Sequence, residues 1–124
     1  MFFVMELIAL LSSGKGTWGQ VAGLVNRGTW DKIILICDNF FKASVGKFDF
    51  SKKAEVICVG FDKTIKETVE EIKEKLRGKV SGIEVALSIA SGEGKEHMAL
   101  ISALLQLPVG IKFVALTRDG IIEF

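Results

Sequence analysis

At 124 residues, 49% of them hydrophobic, the chain is sized for one domain, residues 1–124, with a single core. Sixteen basic residues against fifteen acidic ones leave a formal charge of +1, which excludes a global field for duplex nucleic acid or a membrane surface; any anion site has to be built locally. Cys37 and Cys58 sit in apolar runs, there is no CxxC pair and one histidine only, so neither a structural metal nor a cofactor is expected, and a reducing, cytoplasmic setting fits.

The opening run, Met1 to Leu11, has no basic n-region, carries Glu6, and is shorter than the ~18 residues of a spanning helix. It is expected to be the first strand. The loop "SSGKGTW" follows, and then Thr17 to Arg27 places Trp18, Val21, Ala22 and Val25 on one helical face, with Gly28 as a C-terminal cap. Lys32 to Cys37 reads as the second strand. Asp38 to Lys53, with Phe40, Phe41, Phe48 and Phe50, is expected to hold a short helix and a loop, before a third strand at Ala54 to Val59.

Thr64 to Arg77 is the clearest helix: Ile65, Val69, Ile72 and Leu76 form its stripe, Thr64 and Glu67 a capping box, and Gly78 its end. Its lysines and glutamates read as a solvated face with i to i+4 pairs. Ile83 to Ala90 is the fourth strand and leads through "SGEGKEH" into a helix from about Gly94 to Leu107, stopped by Pro108. That helix is apolar nearly all round, which places it deep in the core or against another subunit. Ile111 to Leu116 is a fifth strand, and "TRDG" turns the chain into a sixth at Ile121 to Phe124.

Short branched runs that do not alternate suggest parallel strands covered on both faces. The predicted class is therefore α/β, a three-layer Rossmann-like sandwich with a mainly parallel sheet and a C-terminal β-hairpin. In such sheets ligands sit beyond the carboxyl ends of the strands, where the strand order reverses.

Two loops at those ends combine small residues with a lysine at a helix start, where free amides favour an anion. The first holds Ser12, Ser13, Gly14, Lys15 and Gly16; the second holds Ser91, Gly92, Glu93, Gly94, Lys95 and His97. Neither is a Walker loop: Ala9 and Ile89 stand where the first glycine belongs, and Gly16 and Glu96 where Ser or Thr should follow the lysine. "GKGTWG" does satisfy GxGxxG, but Asp31 and Asp38 follow at about 17 and 24 residues rather than ~20. The alternative at both loops is a plain turn, with Ser91 capping the last helix. Lys95 counts against that alternative, because a cation in a first turn opposes the helix dipole. Asp38 and Asn39, ending the second strand, either bond a ribose or base or simply start the next turn.

The stretch "ALSIASGEGKEHMALISALLQLPVGIKFVAL" resembles the CARF domain, the CRISPR-associated Rossmann fold, whose loop after the fourth strand carries Gly-Thr-Lys before an apolar helix. Lys95 matches the lysine of that loop, and Ser12 or Ser13 the small hydroxyl residue after the first strand. Gly94 replaces the threonine, and Glu93 adds an acid. The resemblance implies a homodimer in which two such loops surround a cyclic oligoadenylate on the two-fold axis, within CRISPR-associated antiviral defence. Relatives commonly carry an effector behind this domain; here none is expected after Phe124, which makes the chain a stand-alone sensor or ring nuclease.

In the ring-nuclease reading no metal is used: the ribose 2′-hydroxyl attacks its own phosphodiester, Lys95 stabilises the phosphorane charge, and Ser12 or Ser13 positions the hydroxyl or the leaving oxygen. Gly14, Lys15, Gly16, Asp38, Asn39, Ser91, Gly92, Glu93, Gly94 and His97 are then the expected ligand-binding residues. The alternatives are a sensing module that binds without turnover, and a protein-interaction subunit with no nucleotide ligand.

Overall fold

In the computed structural model, which describes residues 5–12 and 17–124, strands and helices alternate along the chain. Strand β1 (Glu6–Leu11) leads to helix α1 (Trp18–Arg27) and strand β2 (Lys32–Asp38). Two 3-10 turns, Asn39–Phe41 and Asp49–Lys53, flank the one-turn helix α2 (Lys42–Val45). Then come β3 (Glu55–Val59), α3 (Ile65–Leu76), β4 (Glu84–Ser88), α4 (Gly94–Gln106), β5 (Gly110–Thr117) and β6 (Gly120–Glu123). The sheet order is β3-β2-β1-β4-β5-β6, parallel throughout except for the antiparallel β5-β6 pair. This is the expected three-layer class with its closing hairpin.

The layers follow from which residues are apolar. Every residue of β1 is buried, since helices cover the sheet on both sides. Ile8, Leu10, Ile34 and Leu87 pack against Val69 and Ile72 of α3 and Leu100 and Leu104 of α4. On the opposite face, Leu7, Ala9, Leu35 and Cys37 pack against Trp18, Val21 and Leu24 of α1 and against Val45 and Phe50 of the segment after β2. That segment thus does the work of a helical layer over β2 and β3.

Several expected boundaries shift. β1 starts at Glu6, where Met5 is exposed and its amide donates to Asp31 (2.7 Å); the expectation for Met1 to Val4 lies outside the described residues. β4 is shorter than Ile83 to Ala90, because Ile83 is 93% exposed and the chain leaves the sheet after Ser88. Thr64 and Glu67 form the capping box of α3 as expected. Ser91 does not cap α4; that position belongs to Glu93. α4 buries Ala99, Leu100, Ala103 and Leu104, yet Met98 and Leu105 are more than half exposed, so among the described residues one apolar face has no cover.

The connection from α3 to β4 crosses the amino-terminal edge of the sheet, and the first residues of three successive strands hold it. Glu55 of β3 pairs with the Lys79 ammonium, Lys32 of β2 donates to the Lys79 carbonyl (2.6 Å), and Glu6 of β1 accepts from the amides of Ser81 (3.0 Å) and Gly82 (2.7 Å). Beyond them, Gly110 of β5 donates to the Ile83 carbonyl (2.8 Å). This crossover carries the chain past β2 and β1 and creates the reversal of strand order between β1 and β4.

Candidate functional site

β1 lies between β2 and β4, and the connections leaving β1 and β4 run to opposite faces, to α1 on one and α4 on the other, so a crevice opens beyond the carboxyl ends of these two strands. A cavity of about 230 Å³ opens there. It is lined by Ser12, Glu93, Lys95 and Glu96 and by Asp38, Phe40, Phe41 and Phe61.

Strand β1 and the start of α4 are locked together by short polar contacts. The Ser12 amide donates to Ser91 Oγ (3.0 Å), and the Ser12 hydroxyl donates to Glu96 Oε2. Glu96 Oε1 accepts from the Glu93 amide (2.8 Å), satisfying a donor that the first turn of α4 would otherwise leave open. Trp18 Nε1 donates to the Ser12 carbonyl (2.9 Å), and His97 Nε2 lies 2.8 Å from the Ser91 carbonyl. Gly92 permits this closeness: its φ is +97°, and a Cβ there would fall 2.5 Å from Leu10 Cδ2 and 3.0 Å from Glu96 Oε1.

Lys95 reaches across to the β3–α3 loop, where its ammonium donates to the Lys63 carbonyl (2.6 Å). That loop is itself anchored by Glu71 of α3, which accepts from the Gly60 amide (3.3 Å) and from the ammonium groups of Lys63 and Lys75. Burial alone would raise the Glu71 carboxyl, but those hydrogen bonds overcome it and take the pKa from 4.5 down to about 2. A folded-state pKa below the unfolded one gives stability that is complete above about pH 4.5 and fades as pH falls towards 2. Glu71→Gln is therefore expected to cost about 1 to 2 kcal/mol at neutral pH, discounted for partial exposure. Urea titrations of both proteins should show that gap closing near pH 2; a gap independent of pH would remove the Glu71 charge from the account.

The cavity brings together Ser12, Asp38, Glu93 and Lys95 from the residues singled out in the sequence, and adds Phe40, Phe41, Phe61 and Glu96. Ser91, Gly92 and His97 are not among the residues lining the cavity; their contacts join β1 to α4. Gly94 begins α4. Asn39 is exposed and does not line the cavity; its amide nitrogen is turned towards Gly60. Ser13, Gly14, Lys15 and Gly16 lie outside the described residues. Among the described residues, the wall carries three carboxyl side chains against one ammonium, and no group of three or more His, Cys, Asp or Glu side chains could hold a metal ion. No helix among them is long and apolar enough to cross a membrane.

No protein-family model and no curated protein matches the chain. Solved structures do match it. Csm6 from Enterococcus italicus, bound to cyclic hexa-2'-fluoro-hexa-dAMP, superposes with a TM-score of 0.66 over 94% of this chain at 12% identity. Protein VC1899 from Vibrio cholerae gives 0.63 over 98% at 17% identity. Can2 from Sulfobacillus thermosulfidooxidans, in complex with cyclic tetra-adenylate, gives 0.59 over 97% at 12% identity. The matched region is only 34%, 33% and 34% of those chains, so the domain corresponds to about a third of each. Identity at this level speaks for architecture alone, and that architecture agrees with the resemblance carried by the loop before α4: the chain has a Rossmann-like fold of the CARF type.

Proposed function

We propose that this domain binds a cyclic oligoadenylate in the crevice between the carboxyl ends of β1 and β4. The observation that carries the reading is the cavity at the switch point, backed by the first turn of α4 and bordered by Lys95 and by the rings of Phe40, Phe41 and Phe61. Helix-start amides and Lys95 suit a phosphodiester, and an aromatic wall suits a base. Two proteins of the same fold are bound to cyclic oligoadenylates, which supports the ligand class.

At about 230 Å³ the cavity is smaller than the ~300 Å³ at which pockets begin to enclose a whole drug-sized molecule, so it suits one nucleotide unit of a ring. A ring would engage two copies of the chain. The surface that suits such a homodimer is the uncovered face of α4, with Met98 and Leu105 exposed, and the apolar groove of about 410 Å³ lined by Leu87, Ile89, Phe113 and Phe124. Metal-independent cleavage is the further step: Lys95 would stabilise charge on the phosphorane, and Ser12, its hydroxyl fixed by Glu96, would position the reacting oxygens. Ser13 shares that role in the proposal.

The test is a thermal-shift titration with cyclic tri-, tetra- and hexa-adenylate and NAD, followed by chromatography of each mixture. Saturation at a hundred times Kd adds about 2.7 kcal/mol, a rise of roughly 10 °C for a domain of this size. A shift with linear product identifies a ring nuclease, and a shift without product a sensor. A pair of charge variants sharpens the test. Lys95→Ala should weaken binding about 10- to 100-fold, while Glu93→Gln should tighten it about fivefold by removing a like charge facing phosphate. Unchanged affinity in both would take the ligand away from this loop.

One observation favours a second reading, a protein-interaction subunit without nucleotide: Lys95 already has the Lys63 carbonyl, and three carboxyl groups border the cavity. Absence of a shift with every nucleotide would select it.

A further inference from the structure

We propose that Cys37 and Cys58 are an oxidative modification site, a dithiol that a hydroperoxide converts to a disulfide between β2 and β3 within one chain. The two residues are direct partners in the parallel β2-β3 register, and their sulfurs lie 3.2 Å apart. Neighbouring strands run about 4.8 Å apart, inside the ~4.4 to 6.8 Å between Cα atoms that disulfides span. The sulfurs have to close by little more than ~1 Å to reach bonding distance, a movement that side-chain rotation supplies.

Both thiols are free and face the α1 side of the sheet, away from the joint between β1 and α4. Their exposure differs, which sets the order of events. Cys37 is fully buried, whereas Cys58 is partly open to solvent and meets the oxidant first. Burial, the hydrogen bond with Cys58, and the nearby Cys58 and Asp38 push the Cys37 thiol up to about 12, so Cys37 persists as a protected thiol until its partner has reacted.

In the first step the Cys58 sulfur attacks the peroxide oxygen and the O–O bond breaks, giving a Cys58 sulfenic acid and one water or alcohol. In the second step the Cys37 sulfur attacks the Cys58 sulfur; the S–O bond breaks and the hydroxyl leaves as water with the Cys37 proton. Two electrons pass from the dithiol to the peroxide. The site needs no ligand in the cavity, and its standing is independent of the oligoadenylate reading.

Lys42, Lys47, Lys52 and Lys53 lie between the two cysteines, so trypsin separates them. The full chain is treated with hydrogen peroxide, blocked with iodoacetamide and digested without reductant. The expected result is one joined peptide, lighter by two hydrogen atoms than the sum of its parts, in the fraction of protein not cross-linked between chains. The thiol titre should fall from two per chain to none and return with dithiothreitol. In Cys37→Ser, Cys58 should advance to sulfinic acid, and in Cys58→Ser, Cys37 should stay reduced at the same dose. Sulfinic acid at Cys58 with an alkylated Cys37 in the unmutated chain would overturn the proposal. So would Cys58 bridges between chains, or two thiols surviving the peroxide. The peptide map of the unmutated chain decides the matter even if either variant fails to fold.

Discussion

Glu6→Ala should lower the melting temperature by roughly 10 °C, corresponding to about 3 kcal/mol. Glu6 is 1% exposed, and its carboxyl group accepts from the Ser81 amide (3.0 Å), the Gly82 amide (2.7 Å) and the Ser81 hydroxyl (3.3 Å). Truncation to alanine leaves these donors without their acceptor and opens a void at the start of β1. Glu6→Gln keeps at one oxygen the acceptor of both the Ser81 and the Gly82 amides and turns its NH2 group towards the Ser81 hydroxyl, which can rotate to accept, so less than half the loss is expected. Calorimetry of the three proteins checks the order. An alanine variant within 1 °C of the parent would mean that water replaces the carboxyl group, and the clamp on the crossover would then rest on Lys32 and Glu55.

Glu6 also marks what a single sequence does and does not reveal. An acid inside an apolar run speaks against a signal peptide, but its partners stand about 75 residues away and no local pattern points to them. The fold was legible because its signals are local: branched runs for β2 and β3, the Thr64 and Glu67 capping box for α3, the small residues of "TRDG" for the β5-β6 turn. Even the meeting of Ser12, at the end of β1, with the loop before α4 follows from strand alternation and the switch-point rule.

The site was legible only in part, for the same reason. Lys95 stands out beside glycines at a helix start and Ser12 as a small hydroxyl at the end of β1, whereas Glu71 looks like one more acid on the charged face of α3. It does make the expected i to i+4 pair with Lys75, yet it also anchors the loop whose Lys63 carbonyl receives Lys95. Phe41 and Phe61 pack against opposite core clusters and also edge the cavity, and no local pattern marks either of them for the site. Glu96 stands where a Walker loop would have a hydroxyl, and it is not among the site residues expected from the sequence. Its spacing from Glu93, three residues on at a helix start, was the signal that could have found it.

Glu96 is where the second large effect is expected, and a pair of variants separates its two roles. Glu96→Ala removes the acceptor of both the Ser12 hydroxyl and the Glu93 amide from a position only 7% exposed, at a cost of about 2 to 3 kcal/mol. Glu96→Gln should hold the melting temperature within about 3 °C of the parent, because its oxygen still accepts from the Glu93 amide and the Ser12 hydroxyl can rotate to accept from the new NH2 group. That rotation reverses the direction of the Ser12 hydrogen bond and points its proton into the cavity. If Ser12 positions the reacting oxygens of a bound oligoadenylate, the glutamine variant should keep its affinity and lose at least about tenfold in single-turnover cleavage. If Ser12 and Glu96 serve only to join β1 to α4, stability, affinity and any turnover should all survive the change to glutamine. A glutamine variant that melts as early as the alanine one would show that the carboxylate charge itself holds the joint.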